Sequence, residues 1–172
     1  MVSSSHASAV PAGFVACRIA DGRFAEAVGP LYVHEGEPAR FGFLAGSRHA
    51  NVRDTVHGGM LMTLADQVLG LTVMQAVGLE TPVVTVSLHC DFVSAAKPGD
   101  WIEGEASVTR MTRSLVFVRG SLSHGGQVVL SAAGVWKKLR RTHAGAGVPD
   151  DRLPNAVVDR SSPMNGLVAA SP

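Results

Sequence analysis

The segment from Asn51 to Asp66 holds the side chains best suited to chemistry: an amide at Asn51, an imidazole at His57, two glycines at Gly58 and Gly59, and a carboxylate at Asp66. His57-Gly58-Gly59 stands where a polar loop gives way to a long apolar run that starts at Met60 and ends near Val77. Glycines at a helix start leave backbone N–H groups unpaired at the positive end of the helix dipole, which suits an anion or a polarised carbonyl oxygen. Gly58 N–H is the natural oxyanion donor. The tripeptide recurs at His124-Gly125-Gly126, between two strand-like runs, where its context predicts only a hairpin turn. Position at a helix mouth, and not the triplet itself, therefore carries the chemical reading.

Asp66 lies beyond Gly58 in a helix whose other positions are almost all hydrophobic. Burying an uncompensated carboxylate costs on the order of several kcal/mol, so the residue needs a reason. A neighbouring hydroxyl such as Thr63 or a wet groove would satisfy it structurally, but a solvated face should show more charge than Asp66 and Gln67. The better expectation is a base that activates water. Asn51 can donate to a carbonyl, fix the imidazole or make a turn. His57 can cap the helix; it has no partners at metal-ligand spacing, so no metal is expected. No phosphate-binding glycine loop, dinucleotide fingerprint or G-x-S-x-G elbow is present, and neither Cys17 nor Cys90 has an electropositive setting resembling that of a thiolate nucleophile. Covalent serine or cysteine catalysis is disfavoured.

The elements that must position these groups follow from period and punctuation. A short helix over Phe24 to Val28, a hairpin of Leu31 to His34 with Ala39 to Leu44, and the long helix come first. Val84, Val86, Leu88, Cys90 and Phe92 then alternate with Thr85, Ser87, His89 and Asp91, predicting a strand that buries the first set. Strands over Trp101 to Arg110, Ser114 to His124 and Gln127 to Lys138 complete an antiparallel meander. A helix apolar on nearly every face needs a sheet that wraps round it, and pairing between subunits would remove an exposed edge. The expectation is an α+β domain over residues 24–139, with an N-terminal tail over 1–23 and a flexible C-terminal extension over 140–172.

Composition sets the outer limits. The 172 residues are 46% apolar and 17% charged, with 15 Lys and Arg against 14 Asp and Glu, which excludes binding to nucleic acid through bulk charge. Asp66, Gln67 and Gln75 interrupt the apolar run, which argues for a core helix over a membrane span. Two distant cysteines and no early basic residues predict a cytoplasmic protein.

Asn51, then His57-Gly58-Gly59, then Leu64-Ala65-Asp66, then Thr85 and the segment Phe92 to Gly99, together resemble the hotdog-fold acyl-CoA thioesterases of the phenylacetate-pathway (PaaI-like) type. The resemblance covers about Leu31 to Leu139. It implies the hotdog fold, a curved antiparallel sheet of about six strands around one long central helix, in a homodimer that assembles further into a homotetramer. It also implies hydrolysis of an acyl- or aryl-acyl-CoA thioester without cofactor, coenzyme A being part of the substrate, and no nucleic-acid or membrane partner. By that likeness Asn51, His57 and Gly58 of one subunit polarise the thioester carbonyl, while Asp66 of the partner subunit activates water or attacks, assisted by Thr85. Gly59 and Met60 adjoin the substrate, with Leu61 and Leu64 beside the acyl group; Lys97, Arg110 and Arg113 are candidates for the coenzyme A phosphates. Val52 and Asp54 stand where the family commonly has Pro and Gly, and Asp tolerates the left-handed backbone that such a Gly supplies. A non-catalytic acyl-CoA or fatty-acid binder, and an acyl-thioester hydratase or dehydratase, are the competing readings.

Overall fold

The computed structural model describes residues 10–17 and 23–139, so most of the expected N-terminal tail and all of the C-terminal extension from residue 140 lie outside the described residues. In chain order the elements are β1 (Phe14–Ala16), α1 (Arg23–Val28), β2 (Tyr32–His34), β3 (Arg40–Leu44), α2 (Gly58–Val77), β4 (Val83–Phe92), β5 (Trp101–Met111), β6 (Leu115–His124) and β7 (Gln127–Lys138). The strands form one antiparallel sheet in the order β1-β2-β3-β5-β6-β7-β4. Seven strands exceed the expected six because β1, within the segment expected to be tail, pairs Phe14 with His34 and Ala16 with Tyr32.

Helix α2 is the core. Leu64, Ala65, Val68, Leu69 and Val73 are wholly buried against the sheet, because leucine, valine and methionine recur on every face of the helix. Two inward glycines let it seat closely: a Cβ at Gly104 would stand 2.7 Å from Val68, and one at Gly120 would stand 3.0 Å from Leu69. Gly78, at φ 92°, ends the helix. The second His-Gly-Gly makes the β6–β7 turn with Gly125 and Gly126 both at positive φ.

Strand β4 departs from the simple alternation. A bulge between Thr85 and Ser87 leaves Val86 without a cross-strand partner and shifts the phase of the strand. Val83, Leu88 and Cys90 pack on the core, whereas Val84, Val86 and Phe92, expected on the buried face, are 43%, 58% and 53% exposed. The bulge turns Thr85 toward α2.

Candidate active site

The loop before α2 is fixed by its own polar groups. Asn51 Oδ1 accepts from Arg53 N–H at 2.8 Å, its Nδ2 donates to Thr55 Oγ1 at 2.9 Å, and Asp54 takes φ 54°. Asn51 is thus a turn-forming residue, and Asp54 adopts the left-handed backbone expected of it. His49, which the sequence reading passed over, is buried and ties this loop down. Its Nδ1 accepts from Gly46 N–H at 2.7 Å, leaving the Nε2 proton to donate to Val28 O at 2.7 Å. Burial holds the His49 imidazole below the ordinary histidine value, and the nearby Arg48 cation adds to this against the Val28 bond. His57 N–H in turn donates to His49 O at 2.7 Å.

His57 is the N-cap of α2: its Nδ1 accepts from Gly59 N–H at 2.9 Å. An accepting Nδ1 leaves the proton of a neutral ring on Nε2, where it can donate outward. With Gly59 N–H so occupied, Gly58 N–H remains at the first helical position with no intrahelical acceptor. The Phe92 ring lies over Gly58, 3.1 Å from where a Cβ would stand. His57, Gly59, Met60 and Thr63, with Arg48 and His49, line a cleft of about 360 Å³.

Asp66 lines a different and more apolar cavity of about 420 Å³ with Gly70, Met74, Val83, Thr85 and Trp136. The half-buried carboxylate accepts through Oδ1 from Thr85 Oγ1 at 3.0 Å. Cys90 is close enough that Asp66 and Asp91 reinforce burial in pushing its thiol pKa up, away from the thiolate. Asp66 stands eight residue steps along the helix from Gly58, about 12 Å of axis. One chain therefore holds His57 and Asp66 in separate clefts, with Gly58 under the Phe92 ring.

The other expected contacts fall elsewhere. Leu61 and Leu64 are buried in the core and line neither cleft. Lys97, Arg110 and Arg113 are exposed, Lys97 in the turn before β5 and the two arginines at the β5–β6 end, and none of them lines either cleft. The cation shared by both clefts is Arg48, whose guanidinium lies over Gly29. Its only sequence signal was an Arg-His pair in the polar loop preceding the helix.

Residues 54–131 match the family model of the thioesterase superfamily. The chain is 38% identical over 89 residues to protein PA0474 of Pseudomonas aeruginosa, whose name marks its esterase activity as inferred; the match spans 52% of this chain and 66%, just under two thirds, of that relative. A variant of the phenylacetic acid degradation protein PaaI from Thermus thermophilus superposes with a TM-score of 0.60 at 26% identity, covering 68% of this chain and 99% of that one. A hypothetical thioesterase from Streptococcus pneumoniae TIGR4, crystallised with coenzyme A, shares the fold at a TM-score of 0.54 and 22% identity, covering 58% of this chain and 77% of that one. Sheet and central helix together make this a hotdog fold, and the match over residues 54–131 marks its similarity to the thioesterase superfamily.

Proposed function

We propose that this protein hydrolyses acyl-CoA thioesters at a site shared between two subunits. The observation that carries the reading is the placement of two contacts at opposite ends of β4: Thr85 meets Asp66 near its start, and Phe92 covers Gly58 at its end. Strand β4 is an edge of the sheet, with Val84, Val86, Phe92 and Val93 between 43% and 59% exposed. A long edge strand with exposed apolar side chains presents a row of N–H and C=O groups ready to pair with another strand. Antiparallel pairing of β4 with its own copy about a two-fold axis sets opposite ends side by side. An axis between Leu88 and His89 would bring Thr85 opposite the partner subunit's Phe92, and so Asp66 toward the partner subunit's Gly58.

At such a junction the chemistry needs no cofactor. Asp66 takes a proton from water, whose oxygen attacks the thioester carbonyl carbon. Gly58 N–H of the other subunit, with His57 Nε2–H beside it, stabilises the oxyanion. The carbon–sulfur bond then breaks, the proton passes to the sulfur, and free acid and coenzyme A leave. Thr85 fixes one oxygen of the carboxylate and so orients the base, and Asn51 holds the loop that carries His57. The coenzyme A bound to the Streptococcus pneumoniae relative supports a CoA thioester as substrate. The test is steady-state thiol release from a panel of acyl-CoAs by wild type and Asp66→Asn. Thiol and free acid from wild type, with loss of turnover in the variant, are expected; equal rates in both would remove Asp66 from the reaction.

A further inference from the structure

Glycine weakens a helix interior relative to alanine, so Gly70 in the middle of α2 asks for a reason. Packing does not supply one. A Cβ there would stand 3.5 Å from Trp136 Nε1, an ordinary contact distance, so a methyl group fits. Gly70 stands one helical turn beyond Asp66 and Met74 one turn further, so the three share a side of the helix. All three line the cavity of about 420 Å³, whose other walls include Leu71, Val83 and Trp136. The exposed Glu26 and Arg48 stand at its rim. From Asp66 to Met74 the cavity follows about 12 Å of helix axis, with Gly70 at its midpoint.

We infer that the acyl group extends from Asp66 along α2 in this cavity, and that Gly70, by lacking a side chain, sets the size it accepts. This rests on the hydrolytic reading above and adds the substrate class: thioesters whose apolar acyl body reaches past Gly70, such as medium-length unbranched or arylalkyl groups, in preference to acetyl. Each methylene buried on the way strengthens binding up to about fourfold. A leucine at position 70 fills the cavity midway and leaves only the part beside Asp66.

The experiment measures thiol release from acetyl-, hexanoyl-, decanoyl- and phenylacetyl-CoA by wild type, Gly70→Ala and Gly70→Leu. Calorimetry runs beside it with the matching non-hydrolysable alkyl-CoA thioethers. Wild type should prefer the larger groups, and Gly70→Leu should lose about tenfold or more on decanoyl- and phenylacetyl-CoA while acetyl-CoA changes little. Thioether affinities should follow the same pattern, with Gly70→Ala between the two. A Gly70→Leu profile parallel to that of wild type, or a wild type that prefers acetyl, overturns the assignment of the cavity and leaves hydrolysis standing. Thioether binding that lengthens and truncates as described, without thiol release, overturns hydrolysis and leaves the cavity standing. Should Gly70→Leu fail to fold by circular dichroism, Met74→Trp closes the far end instead. It should lose decanoyl-CoA and keep hexanoyl-CoA, and unchanged use of decanoyl-CoA would count against the proposal.

Discussion

Thr85 Oγ1 donates to Asp66 Oδ1 at 3.0 Å, joining the bulged edge strand to the core helix in the wall of the apolar cavity. The bond holds one carboxylate oxygen in a fixed place beside the cavity. Thr85→Val removes the donor while keeping the shape. Its kcat should fall about tenfold with KM little changed, and Thr85→Ser should retain most of the rate. Asp66→Asn, which removes the base itself, should cost about 10²- to 10⁴-fold in kcat. Steady-state thiol release reads both, and a Thr85→Val enzyme as fast as wild type would show that the bond does not orient the base.

Only the family resemblance set Thr85 beside Asp66; strand period and spacing did not, although much around the pair was legible. The start of α2 at Gly58 and its end before Gly78 follow from a glycine pair opening an apolar run and a glycine closing it. The hairpin turn at Gly125 and Gly126, and β7 as Gln127–Lys138, follow from two glycines between alternating runs. Strand β4 reads correctly as a strand and incorrectly as to its faces. A period of two presumes an unbroken ladder, and the bulge at Val86 changes phase without any change in composition. Strand β1 was missed because a run of three residues is too short to display a period. His49 and Arg48 were missed because their roles depend on Val28 and Gly29, which are distant in sequence.

Gly58 permits a test of the amide donor without disturbing the helix. It occupies the first helical position, where proline is favoured, and His57 before it already has the φ −61° and ψ 134° that a residue preceding proline prefers. Gly58→Pro thus removes one N–H and little else; Phe92, half exposed, has room to yield to the new ring. The expected loss is about 10²- to 10³-fold in kcat, with Gly58→Ala much closer to wild type. Equal rates for the proline and alanine variants would place the oxyanion donor elsewhere.

The β4 edge should govern assembly. Val86 is 58% exposed at the bulge, and lysines on an edge strand oppose pairing. Val84→Lys with Val86→Lys should lower the mass measured by light scattering to that of a monomer and abolish turnover together with it. A double variant that is monomeric and still active would contradict a shared site.

His49 should make stability sensitive to acid. Its pKa is depressed in the fold, so the unfolded chain takes up this proton at higher pH than the folded one. Its contribution is complete above the ordinary value of 6.5 and declines as pH falls below it toward the lower folded value. The melting temperature of wild type should therefore drop more steeply between about pH 7 and pH 5 than that of His49→Gln, which cannot titrate. Parallel melting profiles would remove His49 as a source of the acid dependence.

The shared site is tested most directly by mixing subunits. Asp66→Asn and Gly58→Pro each break both sites of their own dimer, but a mixed dimer joins an intact Asp66 to the partner subunit's intact Gly58 at one of its two sites. After the two inactive variants are dissociated and reassociated in equal amounts, thiol release should return to about a quarter of the wild-type rate by random pairing. A mixture as inactive as its components, in a sample shown to have exchanged subunits, would contradict the account.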